Sequence, residues 1–557
     1  MSNIVFYPIL ITIILTSIAI YTGTKDSFII KQTIAGLFIL FAILLRKHWL
    51  FMSGKLKYFI LFYLCSIIIS LINATHKGLV FDTLFYQLIF SSMYFFALEL
   101  TNTQKEIIFK SILYICILIT IYGLFQYLGI DFINWKSDYG RRPHSSFGNP
   151  NFYAGYIVLI IPLTIMKFIE SKNFNKYLWL FTSIMLIINL IMNKTRGAWI
   201  AFICSIIFLL LIYLRKMRII KQIHFYILIA VIFIVLFSGS FIILKDYYDK
   251  TNPSVIERLF KWQTAFEMIK KYPITGIGAG NLKVNYALYQ SQVKQKFKIS
   301  LKGTSESNVH NEYLQIFAET GLLGLLSFIS IFISYFFYFF KYLNSNNHEL
   351  QYSSIINCGI ASGIIAFLIY SLSNFPLHIT PTAITMFLFL GLSEAKENSN
   401  IKEEFSISNL KYKNIIFIFG SIIYIILIWN FVIKQFIADI YRKKAEVDFL
   451  KGNIIKSINE YEIAIKLDYN HSERTAYDLG ELYRNLGDFD NAIRAYKISV
   501  DLRNYAEVYN CIGNCYWLKN QVKDAIDNWQ KAIELGLPNP SDQESVKKNI
   551  QYAKSKL

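Results

Sequence analysis

Charge is scarce in this chain. Asp, Glu, Lys and Arg make up 17% of its 557 residues against 54% hydrophobic, and nowhere do the cations form a soluble basic stripe interleaved with aromatics. Nucleic acid is therefore not expected as a partner, despite a formal net charge of +19. Cysteine is sparse too. Of the six, Cys65, Cys116, Cys204 and Cys358 lie in apolar runs as small hydrophobes, while Cys511 and Cys515 stand four apart on a predicted helix, a poor geometry for a disulfide. Neither a disulfide framework nor a cysteine metal site is expected. The first apolar run has no basic leader and no small-residue cleavage site, which predicts a retained span. No Asp-x-Asp or similar cluster offers a divalent-metal site on the face that carries the polar motifs, so no metal and no cofactor are expected.

What the chain has is long apolar runs. Those able, or nearly able, to cross ~30 Å of hydrocarbon fall at 4–22, 29–45, 57–73, 81–98, 107–128, 151–169, 177–192, 197–214, 224–244, 322–340, 353–373, 379–393 and 414–433. Lys and Arg collect on alternate loops: Arg46, Lys47 and Lys55; Lys105 and Lys110; Lys167, Lys172 and Lys176; Arg215, Lys216, Arg218 and Lys221; Lys341; and Lys396, Lys402, Lys411 and Lys413. The positive-inside rule makes that side cytoplasmic. The other face then receives 129–150, 193–196, the long segment 245–321, the turn 374–378 and everything after 434. The expected fold is all-α: a polytopic membrane bundle of about 12 to 13 spans over 1–433, with a large extracytoplasmic loop and a soluble α-solenoid over 434–557. The bacterial cytoplasmic membrane is the expected location.

The tail carries an internal repeat. Leu479-Gly480, Tyr483, Ala492 and Tyr496 recur 33 residues on as Ile512-Gly513, Tyr516, Ala525 and Trp529, and a degenerate copy holds Tyr461 and Ala464. This resembles tetratricopeptide repeats, over about 440–537. Such arrays present a concave surface suited to a protein segment, so a protein partner is expected there.

Four polar stretches arrive at the outer face. Arg141-Arg142-Pro143-His144-Ser145-Ser146-Phe147-Gly148-Asn149-Pro150-Asn151 brings arginines, which grip phosphate bidentately, with Ser146, Asn149 and Asn151 as hydrogen-bonding groups. Asn193-Lys194-Thr195-Arg196 puts two cations where positive charge is disfavoured, which invites a functional reason; a snorkelling arginine is the ordinary alternative. Over 254–271 the spacing predicts an amphipathic helix with Ser254 and Glu257 as a capping box and Val255, Leu259, Trp262, Phe266 and Ile269 as one stripe, Arg258 lying beside it. Gly276, Gly278 and Gly280 follow; such a run can expose amides to an anion, but after a helix it does not read as a dinucleotide site. Finally, Ser307 is expected to cap a helix whose third residue is His310, leading through Asn311, Glu312 and Glu319 into the next apolar run. A first-turn histidine is held neutral by the helix dipole, the form a general base needs; an interfacial histidine that only hydrogen-bonds is the alternative.

In this order, Arg142-x4-Phe147-x-Asn149-Pro150-Asn151, Thr195-Arg196-Gly197-Ala198, Arg258-x3-Trp262 with Pro273-x2-Gly276-x-Gly278, and His310-Asn311-x2-Leu314-x4-Glu319-x-Gly321 resemble the motifs of the bacterial O-antigen ligase superfamily, over about 20–393. That superfamily includes O-antigen polymerases and protein O-oligosaccharyltransferases. The resemblance implies a metal-independent glycosyltransferase that moves a glycan from an undecaprenyl-diphosphate carrier to a glycan, lipid or protein hydroxyl. It implies Arg196 and Arg258 on the diphosphate, Arg142 assisting at the donor sugar or phosphate, and His310 as base or acceptor-orienting group. Asn149, Asn151, Asn311, Glu319 and Gly278 are the expected substrate-binding residues, with Glu319 able to hold an arginine or the helix. Two other classes fit less well. A lipid-glycan carrier would show charges within the spans, which are nearly free of them, and a membrane-anchored scaffold would need one anchor. In a cysteine-free background, Asp478→Cys is expected to react with a membrane-impermeant thiol reagent applied from outside; protection until lysis would put the repeats in the cytoplasm.

Overall fold

In hydrocarbon an apolar run can satisfy its backbone N–H and C=O groups only within itself or in a closed barrel, which is why such runs become helices. The computed structural model describes all residues except 27, 46–53, 134, 136–138, 218, 220, 222–252, 298–305, 344–350 and 395–412. Among the described residues every regular element is helical. The first eight are α1 (Asn3–Ile18), α2 (Ile29–Leu44), α3 (Lys57–Ile69), α4 (Lys77–Leu98), α5 (Asn102–Leu128), α6 (Pro150–Glu170), α7 (Asn173–Asn193) and α8 (Arg196–Lys216). After them come α9 (Pro253–Lys271), α10 (Leu282–Phe297), α11 (Glu312–Leu343), α12 (Gln351–Tyr370), α13 (Thr380–Glu394) and α14 (Lys413–Ile428). Among the described residues seven helices are long and apolar enough to cross a membrane: α4 to α8, α11, and a stretch at Ile418–Leu450. The expected run at 224–244 lies outside the described residues, as do Arg46, Lys47, Arg218, Lys396, Lys402 and Lys411 of the basic loops.

The core of the bundle is α6 and α13. Tyr153, Tyr156 and Ile157 through Ile161 are fully buried, with α7, α8 and α12 around them. The fifteen-residue α13 is buried from Thr380 to Leu392 and packs on α4. A helix enclosed by others needs no lipid-facing stripe, and α13 is mostly apolar on every side, with Thr380, Thr382 and Thr385 buried among its apolar residues.

One break in regularity organises the polar end. Gly321 interrupts α11 with φ 69°, and an interrupted helix leaves amides and carbonyls that must find partners. The loop after α9 supplies them. Ile277 N–H donates to the Ala318 carbonyl (3.0 Å) and Gly278 N–H to that of Glu319 (2.9 Å), while Leu322 N–H donates to Pro273 (2.8 Å) and Leu323 N–H to Ile274 (3.3 Å). A Cβ at Gly321 would overlap the Ile274 carbonyl, and one at Gly276 the Glu319 backbone. The two chains approach this closely because both positions are glycine with positive φ.

The expected stripe on α9 is rotated. Phe260, Ala265, Met268 and Ile269 are buried, Phe266 is exposed, and Leu259 and Trp262 are half-buried. Contact with both α10 and α11 shifts the covered arc. The helix begins at Pro253, so Ser254 lies in its first turn and is not the cap.

Beyond α14 a π-turn at Trp429–Ile433 continues directly into α15 (Lys434–Leu450), so no loop separates bundle from tail. Helical pairs follow: α15 with α16 (Ile454–Leu467), α17 (Glu473–Asn485) with α18 (Phe489–Leu502), α19 (Ala506–Leu518) with α20 (Val522–Leu535), closed by α21 (Pro540–Lys554). The repeat signature is a packing requirement: Tyr496 lies flat against Gly480 and Trp529 against Gly513, where a Cβ would stand 2.5 Å from either ring. The loops between successive pairs dock on the bundle. Asn470 Nδ2 donates to Asp82 Oδ2 (2.9 Å), Lys283 pairs with Glu473 (3.3 Å), His76 meets Asp501 (3.2 Å), and Asn504 Nδ2 donates to the Val284 carbonyl (2.9 Å). Ala287 of α10 is buried with Ala506 and Trp529. The repeats thus clasp the segment that leads to His310.

Gly321→Ala places a side chain where φ is positive and no room exists, and should destabilise the detergent-purified protein by on the order of 2 kcal/mol. Thermal unfolding measures this, and an unchanged melting temperature would contradict the packing described.

Candidate functional site

Arg142 precedes α6 and reaches sideways to the α7–α8 link. Its Nε donates to the Asn193 carbonyl (2.8 Å) and its Nη2 to the Thr195 hydroxyl (3.2 Å). Asn193 answers from the other side, its Nδ2 donating to the carbonyls of Pro143 (2.7 Å) and Pro150 (2.8 Å). Thr195 hydroxyl lies 3.3 Å from Asn151 Oδ1, and Asn149 caps α6 by accepting the Asn151 N–H (2.8 Å). The first two motifs are therefore one clip. Arg196 opens α8 and is exposed.

The clip meets α12 at Tyr370, whose hydroxyl donates to the Asn151 carbonyl and accepts from Asn374 Nδ2, both at 2.7 Å. Gly197 packs against Ser373. From the opposite side α11 is tied to the same turn: Glu312 N–H donates to the carbonyls of Ser371 (2.8 Å) and Asn374 (3.1 Å). The Glu312 side chain is fully buried. Its Oε2 accepts Leu377 N–H (3.0 Å), and its Oε1 lies 3.1 Å from Nδ1 of His378. Burial would lower the His378 pKa, but the Glu312 carboxylate outweighs it and the value is raised above that of an ordinary histidine. Gln315 Nε2 lies 3.4 Å from His378 Nε2; the same amide donates to Asn308 Oδ1 (3.3 Å) and accepts Val309 N–H (3.3 Å).

His310 sits next to this pair, and not where a helical reading puts it. It has φ 54° and lies outside α11, which starts at Glu312 and is capped by Asn311 accepting the Leu314 N–H (3.1 Å). Asparagine offers the better cap, and the Ser371 and Asn374 carbonyls claim the Glu312 N–H, so Ser307 caps nothing here. The imidazole packs edge-on to Phe375 at 5.2 Å, and Phe375 in turn contacts His378 at 6.1 Å. Nδ1 of His310 is buried with no hydrogen-bond partner among the described residues. Burial, reinforced by the nearby Lys261 and Arg258 charges, lowers its pKa to about 4. The neutral form thus follows from desolvation and cations rather than from a first-turn position. Lys261 is paired with Glu257 (2.8 Å) and Glu306 (3.0 Å), whereas no carboxylate among the described residues pairs with Arg258. Arg258 also acts electrostatically on Tyr370, as does Arg142, so the third and fourth motifs face the clip.

Other expected residues serve the framework. The buried Glu319 accepts backbone hydrogen bonds from Gly280 and Leu282, so it holds the glycine loop and not an arginine. Gly278 donates its amide to the Glu319 carbonyl and lies against Ala74, which leaves that N–H committed. Asn149 and Asn311 are helix caps. Tyr370, Asn374 and His378 were not singled out by sequence. Their signal was a turn of Asn, Pro and His between two apolar runs, predicted on the same face as His310.

Comparison with known proteins finds relatives of the membrane part and of the repeats. The O-antigen ligase family profile matches residues 154–329, and a tetratricopeptide repeat profile matches 473–504. Over 420 residues, 72% of either chain, the sequence is 24% identical to the ComP-specific O-oligosaccharyltransferase of Acinetobacter baylyi. Over 133 residues, 23% of this chain and 31% of the relative, it is 29% identical to a putative polysaccharide ligase of Rickettsia bellii. It is also 25% identical over 244 residues, 40% of this chain and 58% of the relative, to an uncharacterized protein of Haemophilus influenzae. The chain carries an O-antigen ligase domain in its membrane part, followed by a tetratricopeptide repeat.

Proposed function

We propose that the chain is a ligase-type glycosyltransferase that moves a glycan from a polyprenyl-diphosphate carrier, undecaprenyl diphosphate in bacteria, to an acceptor hydroxyl at the outer face of the cytoplasmic membrane. The observation that carries the reading is a buried, neutral His310 beside the guanidinium of Arg258, which pairs with no carboxylate among the described residues, on the end of the bundle where Arg196 is exposed. Such a transfer has two needs. Negative charge grows on the departing diphosphate as the bond to the sugar C1 breaks, and fixed cations stabilise it most where water is excluded. The acceptor hydroxyl must also be oriented and lose its proton as its oxygen bonds to C1.

Arg258 and Arg196 meet the diphosphate in this reading. Arg142 holds the clip that presents Asn151 and Arg196, and acts on the donor only through that placement. His310 meets the acceptor, as base or as orienting group. A protein hydroxyl is favoured as acceptor because the relative that shares 72% of its length is named an O-oligosaccharyltransferase. A glycan or lipid acceptor is the second reading, supported by the ligase named among the relatives.

The test is transfer by reconstituted protein from a polyprenyl-diphosphate-linked glycan. His310→Ala and Arg258→Ala should each reduce the rate by about a hundredfold or more, while membrane insertion and thermal stability stay near wild type. Wild-type rates in both variants would overturn the assignment.

A further inference from the structure

We propose that His378, oriented by Glu312, is the group that takes the proton from the acceptor hydroxyl, and that His310 orients that hydroxyl without accepting its proton. The proposal rests on the glycosyl-transfer reading above and goes beyond it by naming the base.

Geometry comes first. Glu312 is a fully buried carboxylate: its Oε2 accepts Leu377 N–H, and its Oε1 lies 3.1 Å from His378 Nδ1, an ion-pair contact in which neither atom has any other polar partner among the described residues. A buried carboxylate on Nδ1 of an imidazole fixes the tautomer with its proton on Nδ1, and leaves the Nε2 lone pair facing away from the carboxylate. This is the arrangement of a base held by a third group. Gln315 supports the same tautomer. Its oxygen is taken by Val309 N–H and its amide donates to Asn308, so toward His378 it presents an N–H, which requires an acceptor at Nε2. About a third of the His378 side chain is exposed, while Glu312 is not exposed at all. The Phe375 ring touches both imidazoles, so a hydroxyl bound against His310 lies on the same rim as His378.

Basicity comes second. A general base works best with a pKa near the operating pH. His310, lowered to about 4 by burial and by Lys261 and Arg258, binds a proton weakly near neutrality. The charged groups that face His378 are Glu312 and Glu319, both of α11, with Tyr63 of α3 beside the two carboxylates. Both carboxylates favour its protonated form, and no cation among the described residues opposes them. In the step itself the acceptor hydroxyl takes the place of the Gln315 amide, 3.4 Å away, at Nε2 of His378; its oxygen bonds to C1 and its proton passes to Nε2. The C1–oxygen bond to the diphosphate breaks, with its electron pair left on the diphosphate. The imidazolium is neutralised by Glu312 until the proton leaves to water.

The sign of the pH dependence follows. A base must be neutral, so the rate falls as pH drops through the pKa of the base. If His378 is the base, kcat loses activity below a point at or above the ordinary histidine value of about 6.5; if His310 is the base, the loss comes near 4. Glu312→Gln keeps a partner at Nδ1 but removes the charge, so it should move this limb to lower pH and reduce the plateau. His378→Asn retains a donor toward Glu312 but cannot accept a proton, and should lower kcat about a hundredfold or more with KM for the donor within a few fold. Thermal unfolding of each variant checks the fold, and the wild-type profile stands even if a variant does not fold. A wild-type limb near 4 that Glu312→Gln does not move, or full activity in His378→Asn while His310→Ala and Arg258→Ala are dead, overturns this proposal alone. Full activity in all of them overturns the glycosyl-transfer reading beneath it.

Discussion

The polar end of this bundle depends on one residue's commitments. Glu312 gives its N–H to the carbonyls of Ser371 and Asn374, and its carboxylate to Leu377 N–H and His378. A carboxylate with no exposure persists only beside a donor and an opposite charge, here Leu377 N–H on Oε2 and the His378 ring 3.1 Å from Oε1, because an unpaired buried charge costs several kcal/mol, of order 3–5. Satisfying it draws the start of α11 onto the turn between α12 and α13. The same turn carries Tyr370 and Asn374 to the clip formed by Arg142, Asn193 and Thr195. Three separate polar stretches are thereby joined through one buried charge.

The second constraint is the break at Gly321. A straight α11 would have no open carbonyls at Ala318 and Glu319 and no open amides at Leu322 and Leu323. The glycine loop after α9 would then have nothing to pair with. The kink therefore brings α9, with Arg258 and Lys261, close enough to act on His310. The repeats extend this framework, since their inter-pair loops hold α10 through Lys283, Val284 and Ala287. These contacts make the repeats a brace within the molecule.

Two histidines on one rim have environments of opposite sense. Around His310 there is burial and positive charge; around His378 there are two carboxylates. Such a split divides two roles that a single imidazole would have to combine.

Sequence alone determined much about this protein. Apolar runs bounded by basic loops define helices, because hydrocarbon permits little else. The recurrence of Gly480 with Tyr496 and of Gly513 with Trp529 defines the repeats, because a large ring needs a missing side chain to lie against. Motif residues clustered on one face were legible for the same reason of alternation. What each motif residue does was decided only by tertiary structure. Arg142, Asn149, Asn311, Glu319 and Gly278 carry polar groups that suit a ligand, yet each is engaged by backbone that lies far away in sequence or by the end of a helix. His310 lies outside the helix that spacing assigned to it because Glu312 N–H has better acceptors in a turn some sixty residues on. His378 is visible in the sequence as one histidine in a short turn. Its partner is a carboxylate 66 positions away, and no local pattern encodes a pairing that exists only once α11 and α12 are packed.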